Sequence, residues 1–231
     1  MREEEHHHLK RVARVKVGEN IWLFDNEGNN YFCRVDHIGH DFTRLLLLEK
    51  KKEKSSKKYF NLGQSLLKQK SMDLIIQKAT ELGVSTIIPV LTHRTIVKIE
   101  DKTPSKMMRW QRIIRESAKQ CGRAIMPSIL SPEVLIHMIE KRTETKKILL
   151  SEKGDIPLKN ILSSFFNEEA GSPHDSHSLF LLIGPEGGWT EEEEIYILER
   201  GFEAASLSSH ILRAETAAIS SMAIISHYWN L

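Results

Sequence analysis

Several features that would indicate a secreted, metal-binding or membrane protein are missing from this sequence. Only two of its 231 residues are cysteine, and Cys33 and Cys121 lie in separate segments without the spacing of a metal or redox site. The opening MREEEHHHLK lacks the apolar core of a signal peptide, and no stretch of 18 apolar residues occurs. We therefore expect a cytoplasmic protein with reduced thiols, no metal and no membrane partner.

The sequence also lacks the two glycine motifs that most often bind nucleotide phosphates, GxGxxG and GxxxxGK[ST]. Instead, an uncharged strand at residues 179–183 runs into the loop 184–188, GPEGG, and Thr190 opens a helix with Glu193 three residues on, which is a capping box. Either the glycines let a ligand reach main-chain groups, or they join strand to helix for steric reasons alone. Glutamates at 191–194 disfavour a phosphate at this helix start.

A second connection of the same kind follows. Gly201 ends the first helix, residues 202–207 form a predicted strand, and residues 208–213 lead into a helix that begins near Ala214. Ligands in open α/β sheets bind outside the carboxyl ends of the strands, where both loops are expected. Alternating strands and helices from Tyr59 onward predict a mostly parallel, helix-covered sheet.

IGPEGG with its Glu-rich helix, then GF, then ILR-x-ETA resemble, in that order, the RsmE family of SPOUT methyltransferases. The resemblance implies methylation of N3 of one uridine in 16S ribosomal RNA, free or in the small ribosomal subunit, with S-adenosylmethionine as cofactor. It also implies an α/β fold with a C-terminal trefoil knot, a PUA-like β-barrel domain before it, and an active site built across a homodimer.

The resemblance also assigns roles to residues of the two loops and the helix after them. Arg213 would stabilise negative charge on the uracil oxygens, and either Glu215 or Glu186 would act as general base or anchor a loop. The residues assigned to cofactor binding are Ile183, Gly184, Pro185, Glu186, Gly187, Leu207, Ser208, Ile211, Leu212, Thr216 and Ala217.

Residues 1–55 are predicted to form the PUA-like domain and residues 56–231 the methyltransferase domain. Strands at 21–25, 31–38 and 42–49, with a hairpin turn at 26–29, indicate a small barrel or meander. The stretch 8–14, HLKRVAR, is similar to the family's H-x-x-x-V-L-R, with Ala13 in place of leucine. Arg11 and Arg14 suit phosphate contacts, although a helix end with solvated charges fits nearly as well.

Charge is unevenly distributed along the chain. Residues 1–127 carry 25 lysines and arginines against 15 acidic residues, whereas residues 128–231 carry 8 against 16. This asymmetry indicates a nucleic-acid face apart from the small-ligand site, or a solvated surface without further meaning. Six lysines in 50–58 predict a mobile loop that serves as an arm for RNA or as a soluble linker.

The region between residues 59 and 178 supplies further elements and one more RNA contact. Strands are predicted at 59–67, 85–90 and 147–151, a helix ending at Gly83, and a basic helix at 105–121. After that helix, QCGR and Pro127 are similar to the family's EQ-x-x-R-x-x-x-P, with Lys119 in place of glutamate. Arg123 is expected to contact RNA or the target uridine. The alternative is that Arg123 forms a purely structural salt bridge. Ser131 and Pro132 are expected to start a helix, and residues 167–178 to form a polar loop.

The last helix, 214–229, is apolar around most of its circumference, so it lies either in the core or in a dimer interface; the resemblance favours the homodimer. Ser208 and His210 replace a glycine and an arginine of the family, which indicates weaker cofactor affinity or an altered target. Two alternatives to the uridine-N3 enzyme therefore stand: a SPOUT relative that methylates another nucleotide, and a non-enzymatic RNA-binding or ribosome-assembly factor.

Overall fold

The computed structural model describes residues 1–52, 58–95, 103–169 and 177–229. The chain divides into two compact units, Met1–Ser55 with Gly122–Ile125, and Ser56–Cys121 with Met126–Leu231. The domain boundary predicted between residues 55 and 56 falls in 53–57, outside the described residues.

The first unit contains a three-stranded antiparallel sheet. Its elements are α1 (Glu3–His7), a π-helical turn (His8–Val12), β1 (Asn20–Phe24), β2 (Asn29–Ile38) and β3 (Thr43–Lys52). β2 lies between β1 and β3, so of the two predicted arrangements, a small barrel or a meander, the described strands form the meander. Val35 and Cys33 on the central strand are buried, and burial raises the pKa of the Cys33 thiol.

The turn between β1 and β2 is closed by one carboxylate. Asp25 accepts hydrogen bonds from the main-chain N–H of Glu27 at 2.8 Å, the Asn29 side chain at 2.7 Å and the Tyr31 hydroxyl at 2.9 Å. Desolvation raises the pKa of Asp25, but these hydrogen bonds and one from the Asn29 N–H outweigh it and hold the pKa below its ordinary value. Asn26 and Gly28 take the left-handed conformation that the turn requires, with φ of 63° and 83°.

The loop predicted over residues 50–58 is wrong at both ends. Lys50, Lys51 and Lys52 extend strand β3 and pair with Tyr31, Asn30 and Asn29 of β2, and Lys58 opens the next strand. Main-chain pairing to an existing strand overrides the weak strand preference of lysine. The rest of the predicted loop, 53–57, lies outside the described residues.

The second unit is a parallel sheet covered by helices. Its strands are β4 (Lys58–Ser65), β5 (Thr86–Leu91), β6 (Ser128–Ile129), β7 (Glu133–Val134), β8 (Lys146–Leu150), β9 (Ile156–Pro157), β10 (His177–Ile183) and β11 (Glu203–Ser206). Its helices are α2 (Gln69–Glu81), α3 (Thr103–Cys121), α4 (Leu135–Glu140), α5 (Leu158–Glu169), α6 (Glu191–Leu198) and α7 (Ala214–Trp229). The strand order is β6-β5-β4-β10-β8-β11-β9, with β7 also beside β5, and every pair within the described residues is parallel.

Apolar side chains fill both faces of this sheet, which explains why its central strand lacks an apolar and polar alternation. On β10, Leu179, Leu181 and Ile183 pack in the cluster that includes buried residues of α2, α3, α5 and α7. Phe180 and Leu182 point to the other face, where α4 and α6 supply Met138 and Ile197 among others. The predicted helix-covered, mostly parallel α/β fold is confirmed, while the trefoil knot stays a prediction.

Two predicted boundaries in this unit are wrong. Ser131 and Pro132 do not start a helix, because Glu133 and Val134 first pair with Val90 and Leu91 as strand β7 and α4 begins only at Leu135. The polar loop predicted over 167–178 is shorter than expected, since α5 continues to Glu169 and β10 begins at His177. Residues 170–176 of that loop lie outside the described residues.

Candidate active site

The carboxyl ends of the parallel strands surround one large cavity in the second unit. β10 lies between β4 and β8, and β11 follows β8, so the loops after these strands emerge at the same edge of the sheet. The cavity has a volume of about 1000 Å³ and is lined by the loop after β10, the loop after β11, the segment after β8 and the start of α7. This volume is large enough for a nucleoside-sized ligand.

The loop after β10 approaches the cavity with little side-chain bulk. A Cβ atom on Gly184 would lie 3.0 Å from the ring of Trp189, so a larger residue there would displace the indole. Gly188 has a φ of 70° and donates its N–H to the Pro185 carbonyl at 3.0 Å, which closes a tight turn. The Trp189 Nε1 donates to the Leu150 carbonyl at 3.1 Å and thereby joins this loop to the end of β8.

Residues after β5 hold the same loop from outside. Arg94 donates from its guanidinium to the Gly187 carbonyl at 2.7 Å. The capping box is confirmed, since Thr190 accepts from the Glu193 N–H at 3.2 Å and Glu193 accepts from the Thr190 N–H at 3.1 Å. The second carboxylate oxygen of Glu193 accepts from the His93 N–H at 2.7 Å, so the cap residue also fixes the β5 loop.

Unpaired main-chain groups characterise the loop after β11. Within the described residues, the N–H and C=O groups of Ile211 and Leu212 form no hydrogen bonds, and the Ile211 side chain is 80% exposed. Ser208 and His210 interact locally, with the Ser208 hydroxyl accepting from the His210 N–H at 3.1 Å. Free donors and acceptors beside a cavity are available to a polar ring or a ribose.

A third wall, formed by residues after β8, was not predicted as part of the site. Ser151 donates its N–H to the Ala205 carbonyl at 3.0 Å and its hydroxyl to Glu194. A Cβ on Gly154 would lie 2.6 Å from the Ala205 carbonyl carbon, so this segment packs directly against β11. The sequence predicts the strand, but its place between β10 and β11 follows from tertiary pairing that no local pattern reveals.

Most of the residues assigned to the cofactor and to catalysis come together at the cavity. Thr216 lies on an exposed part of α7 and is the one assigned residue absent from the described lining. Neither Arg213 nor Glu215 forms a side-chain hydrogen bond or ion pair with any described residue. The assigned residues that line the cavity are Ile183, Gly184, Pro185, Glu186, Gly187, Leu207, Ser208, Ile211, Leu212, Arg213, Glu215 and Ala217.

Several residues of the lining were not predicted from the sequence. Trp189 and Arg94 hold the glycine loop, and Lys68 donates its main-chain N–H to Glu186 at 3.5 Å. Its position four residues after the predicted strand 85–90 is the only signal that would have marked Arg94. The other lining residues without an assigned role are Ser71, Leu150, Ser151, Glu152, Lys153, Gly188, Glu191, Glu194, His210 and Ala214.

The cavity lining combines both signs of charge. Glu152, Glu186, Glu191, Glu194 and Glu215 contribute carboxylates, while Lys68, Arg94, Lys153 and Arg213 contribute cations. Beside the cavity, hydrogen bonds from the main-chain N–H of Glu192 and from the Thr190 hydroxyl lower the pKa of the Glu192 carboxyl. The charges of His93 and Arg94 add to this effect, and together these causes outweigh desolvation, which raises the pKa. A mixed lining suits a ligand with both an ammonium and a carboxylate.

The three arginines assigned to RNA lie in the first unit. Arg11 is exposed on the π-helical turn, Arg14 is exposed with a φ of 52°, and Arg123 is half-buried in the segment Gly122–Ile125. Their role as RNA contacts stays a prediction.

The ranges that the structure describes show neither a metal site nor a membrane-spanning helix. They contain no group of three or more His, Cys, Asp or Glu residues placed to hold a metal ion. No helix among them has both the length and the apolar run needed to span a bilayer. Cys33 and Cys121 are free thiols.

Known proteins resemble this chain over nearly its whole length. Residues 53–226 match the family described as RNA methyltransferase domain, and residues 2–46 match the RNA methyltransferase PUA domain. The chain is 30% identical to the ribosomal RNA small subunit methyltransferase E of Bacillus subtilis, over 99% of this chain and 89% of that protein.

Two solved structures share the fold over nearly the whole chain. The ribosomal RNA small subunit methyltransferase E of Neisseria gonorrhoeae, bound to S-adenosyl methionine, is 31% identical with a TM-score of 0.83, covering 99% of this chain and 91% of its own. A Legionella pneumophila methyltransferase with bound SAM is 27% identical with a TM-score of 0.83, covering 97% and 89%. The N-terminal match confirms the predicted PUA-like fold of the first unit.

Proposed function

This chain belongs to the ribosomal RNA small subunit methyltransferase E family, and we propose that it transfers the methyl group of S-adenosylmethionine to N3 of one uridine in 16S ribosomal RNA. The observation that carries the proposal is the nucleoside-sized cavity at the carboxyl edge of the sheet, whose lining includes the glycine loop and two residues with unpaired main-chain groups, Ile211 and Leu212. It belongs to a chain that aligns over 99% of its length with a relative solved with that cofactor.

The residues present fit this cofactor. The glycine loop lines the cavity, with the space beside Gly184 taken by the Trp189 ring and that beside Gly187 by Arg94, and Ile211 and Leu212 offer free main-chain groups to an adenine edge. Ile183, Pro185, Leu207 and Ala217 supply apolar surface for the ring, and Glu186 and Ser208 supply polar groups at the margin. Thr216 is outside the lining and keeps only the role that the family resemblance gives it. When bound, S-adenosylmethionine supplies an electrophilic methyl group on a sulfonium.

The protein's contribution to the reaction is positioning, exclusion of water and control of charge. Arg213 has no side-chain partner among the described residues, so its guanidinium is available for the negative charge that spreads onto the uracil oxygens when N3 loses its proton. Glu215, two residues on, or Glu186 across the cavity takes that proton. Both carboxylates line the same space as Arg213.

The first unit and the segment 122–125 provide contacts to RNA. Arg11, Arg14 and Arg123 belong to one compact unit and place cations where phosphates of 16S rRNA or of the small ribosomal subunit bind. We assign residues 1–55 to this RNA-binding domain and residues 56–231 to catalysis. Small ribosomal subunits occupy the cytoplasm, which is where the reaction takes place.

The active form is a homodimer in this proposal. α7 buries Ala218, Met222 and Ile225 inside its own chain, while Ala223 on the same helix is exposed and Ile211 before it is 80% exposed. Apolar surface left open beside the cavity is suited to a second copy, which would narrow the entrance and complete the site.

The test is to incubate small subunits from a strain that lacks this gene with radiolabelled S-adenosylmethionine and the purified protein, and to map the label by nucleoside analysis. Label in N3-methyluridine at one 16S position is the expected result. Label in another nucleotide would replace the uridine assignment and would fit Ser208 and His210, which differ from the family pattern. Salt-dependent RNA binding without methyl incorporation would show a non-enzymatic RNA-binding protein.

A further inference from the structure

One face of the first unit's sheet carries an aromatic pair, with Trp22 exposed and Phe32 half-buried. Trp22 of β1 lies directly opposite Phe32 of β2, and their ring centroids are 4.9 Å apart at an interplanar angle of 34°. Trp22 is 50% exposed. On the central strand the opposite face is the packed one, because Cys33 and Val35, which alternate with Phe32, are 5% and 0% exposed.

In an antiparallel sheet with one face in water, apolar residues usually face the core and polar residues face the solvent. Apolar and aromatic residues on the solvent face depart from this pattern. Leu46 of β3 lies opposite Arg34 and is 55% exposed, so the open face extends across all three strands. The aromatic pair does not serve the unit's core, and it is free to contact a planar ligand.

Basic groups surround this pair. Lys51 Nζ lies 5.5 Å from the centroid of the Trp22 ring and 3.2 Å from the Glu49 carboxylate. Arg34, two residues from Phe32 on the same face, is exposed and donates to the Asn20 side chain at 3.3 Å. β3 as a whole carries four lysines and arginines against the single Glu49.

This combination favours unpaired RNA over a protein partner. Bases stack on exposed aromatic rings whatever their sequence, while neighbouring cations neutralise the phosphates. Protein interfaces, by contrast, are depleted of charge at their centre, whereas here a lysine ammonium lies above the central ring. Duplex RNA buries its base faces and offers nothing to stack.

The geometry points to a base-stacking platform, formed by Trp22 and Phe32 and flanked by Arg34 and Lys51, that holds an unpaired nucleotide of the RNA substrate. The inference rests on the proposed function for the identity of the RNA, but the contact itself needs only a single strand. It adds a stacking site to the arginine contacts assigned above, which are purely electrostatic.

Fluorescence anisotropy of a labelled ten-nucleotide oligouridylate, titrated with the full-length protein at several salt concentrations, tests the platform. Trp22→Ala is expected to weaken binding about tenfold, because the variant loses the ring on which a base stacks. The slope of log K against log salt is expected to stay the same for Trp22→Ala and to fall for Lys51→Ala, because only the lysine neutralises a phosphate. Trp22→Phe is expected to recover most of the affinity.

Leu47→Ala is the matched control, because Leu47 is 53% exposed on the same sheet but pairs with Cys33 on the other face. Crosslinking of wild-type protein to 4-thiouridine RNA, followed by peptide mapping, is expected to mark Trp22 or Phe32 and does not depend on any variant folding. Unchanged affinity of a folded Trp22→Ala, equal losses for single-stranded and duplex RNA, or crosslinks only elsewhere would overturn the platform. Loss of self-association in Trp22→Ala with unchanged RNA affinity would make the face a protein contact.

Failure of the platform and failure of the enzyme are distinguishable. If wild-type protein labels small subunits while Trp22→Ala binds the oligonucleotide normally, the platform is wrong and the methyltransferase stands. If Trp22→Ala loses RNA affinity but wild-type protein transfers no methyl group, the platform stands and the proposed function is wrong.

Discussion

The indole nitrogen of Trp189 donates a hydrogen bond to the Leu150 carbonyl at 3.1 Å, so one side chain ties together the ends of two neighbouring strands. The same ring fills the space beside Gly184, where a Cβ atom would lie 3.0 Å from it. Two walls of the cavity are therefore set by one residue, and their separation depends on the absence of a side chain at Gly184.

Gly184→Ala is expected to displace the Trp189 ring and to weaken S-adenosylmethionine binding in isothermal titration, with the far-ultraviolet circular dichroism unchanged. Trp189→Phe keeps an aromatic ring but leaves the Leu150 carbonyl without its donor, at a cost of about 1 kcal/mol. We expect the alanine variant to lose more cofactor affinity than the phenylalanine variant, since it moves the ring itself. If Gly184→Ala and the wild type bind S-adenosylmethionine with equal affinity, the position of the Trp189 ring does not affect cofactor binding.

Arg94→Ala is expected to weaken cofactor binding roughly fivefold, the effect of one lost hydrogen bond of about 1 kcal/mol on the Gly187 carbonyl. Thermal stability should change little, because Arg94 is exposed and lies at a loop. Arg112→Ala, an exposed arginine on α3 in the same unit, is the control for the loss of a positive charge. If both variants bind the cofactor equally, the Arg94 contact does not stabilise the glycine loop.

The elements beside the site were predictable because their signals are local. The capping box of Thr190 and Glu193 and the left-handed Gly201 at the end of α6 are fixed by neighbours within a few residues. The loops 184–188 and 208–213 could be placed at one edge because parallel strands share a direction. Their meeting at one cavity follows from the same rule.

Neither the third wall of the cavity nor the hydrogen bond from Arg94 to the Gly187 carbonyl could be predicted, because both depend on the order of the strands in the sheet. Ser151 reaches the cavity only because β8 lies between β10 and β11. Arg94 reaches Gly187 across 93 positions of sequence, which no periodicity encodes. Lys51 shows the reverse error: its local sequence indicates a loop, yet pairing with Asn30 makes it part of a strand beside Trp22.

Thr190→Ala is expected to destabilise the second unit by about 1 kcal/mol, because the first turn of α6 loses the acceptor for the Glu193 N–H. For a chain of this length, this corresponds to a fall in melting temperature of roughly 2–4 °C in calorimetry. Thr190→Ser retains the hydroxyl and is expected to melt like wild type. A wild-type melting temperature for the alanine variant would mean that the Glu193 contact with His93 holds the turn alone.

Asp25→Asn is expected to loosen the β1–β2 hairpin in a pH-dependent way. The folded pKa of Asp25 lies below its ordinary value, so its contribution to stability is present above the unfolded pKa of about 3.9 and is lost as the pH falls through the folded pKa. Amide hydrogen exchange of hairpin residues should therefore differ between wild type and variant by a constant amount from pH 7 to 5, and the difference should begin to shrink only below about pH 4, as the pH falls toward the folded pKa.

Glu27→Gln is the control for this hairpin, because the Glu27 side chain forms no hydrogen bond or ion pair with any described residue. Its exchange should match wild type at every pH. A difference between Asp25→Asn and wild type that persists undiminished well below pH 4 would show that the hydrogen-bonding shape of the side chain, rather than its charge, closes the turn.

Arg213→Ala is expected to lower the rate of methyl transfer by about 100- to 1000-fold while S-adenosylmethionine binding stays close to wild type. The reason is that Arg213 lines the cavity without a side-chain partner among the described residues, so its charge is not used to hold the fold. Single-turnover transfer to small subunits measures the chemical step, and isothermal titration measures cofactor affinity. Arg213→Lys keeps the charge but not the planar guanidinium, so a partial recovery of rate is expected. A proportional loss of rate and cofactor affinity in Arg213→Ala would instead make Arg213 a binding residue for the donor, and an unchanged rate would leave charge stabilisation to another group at the cavity.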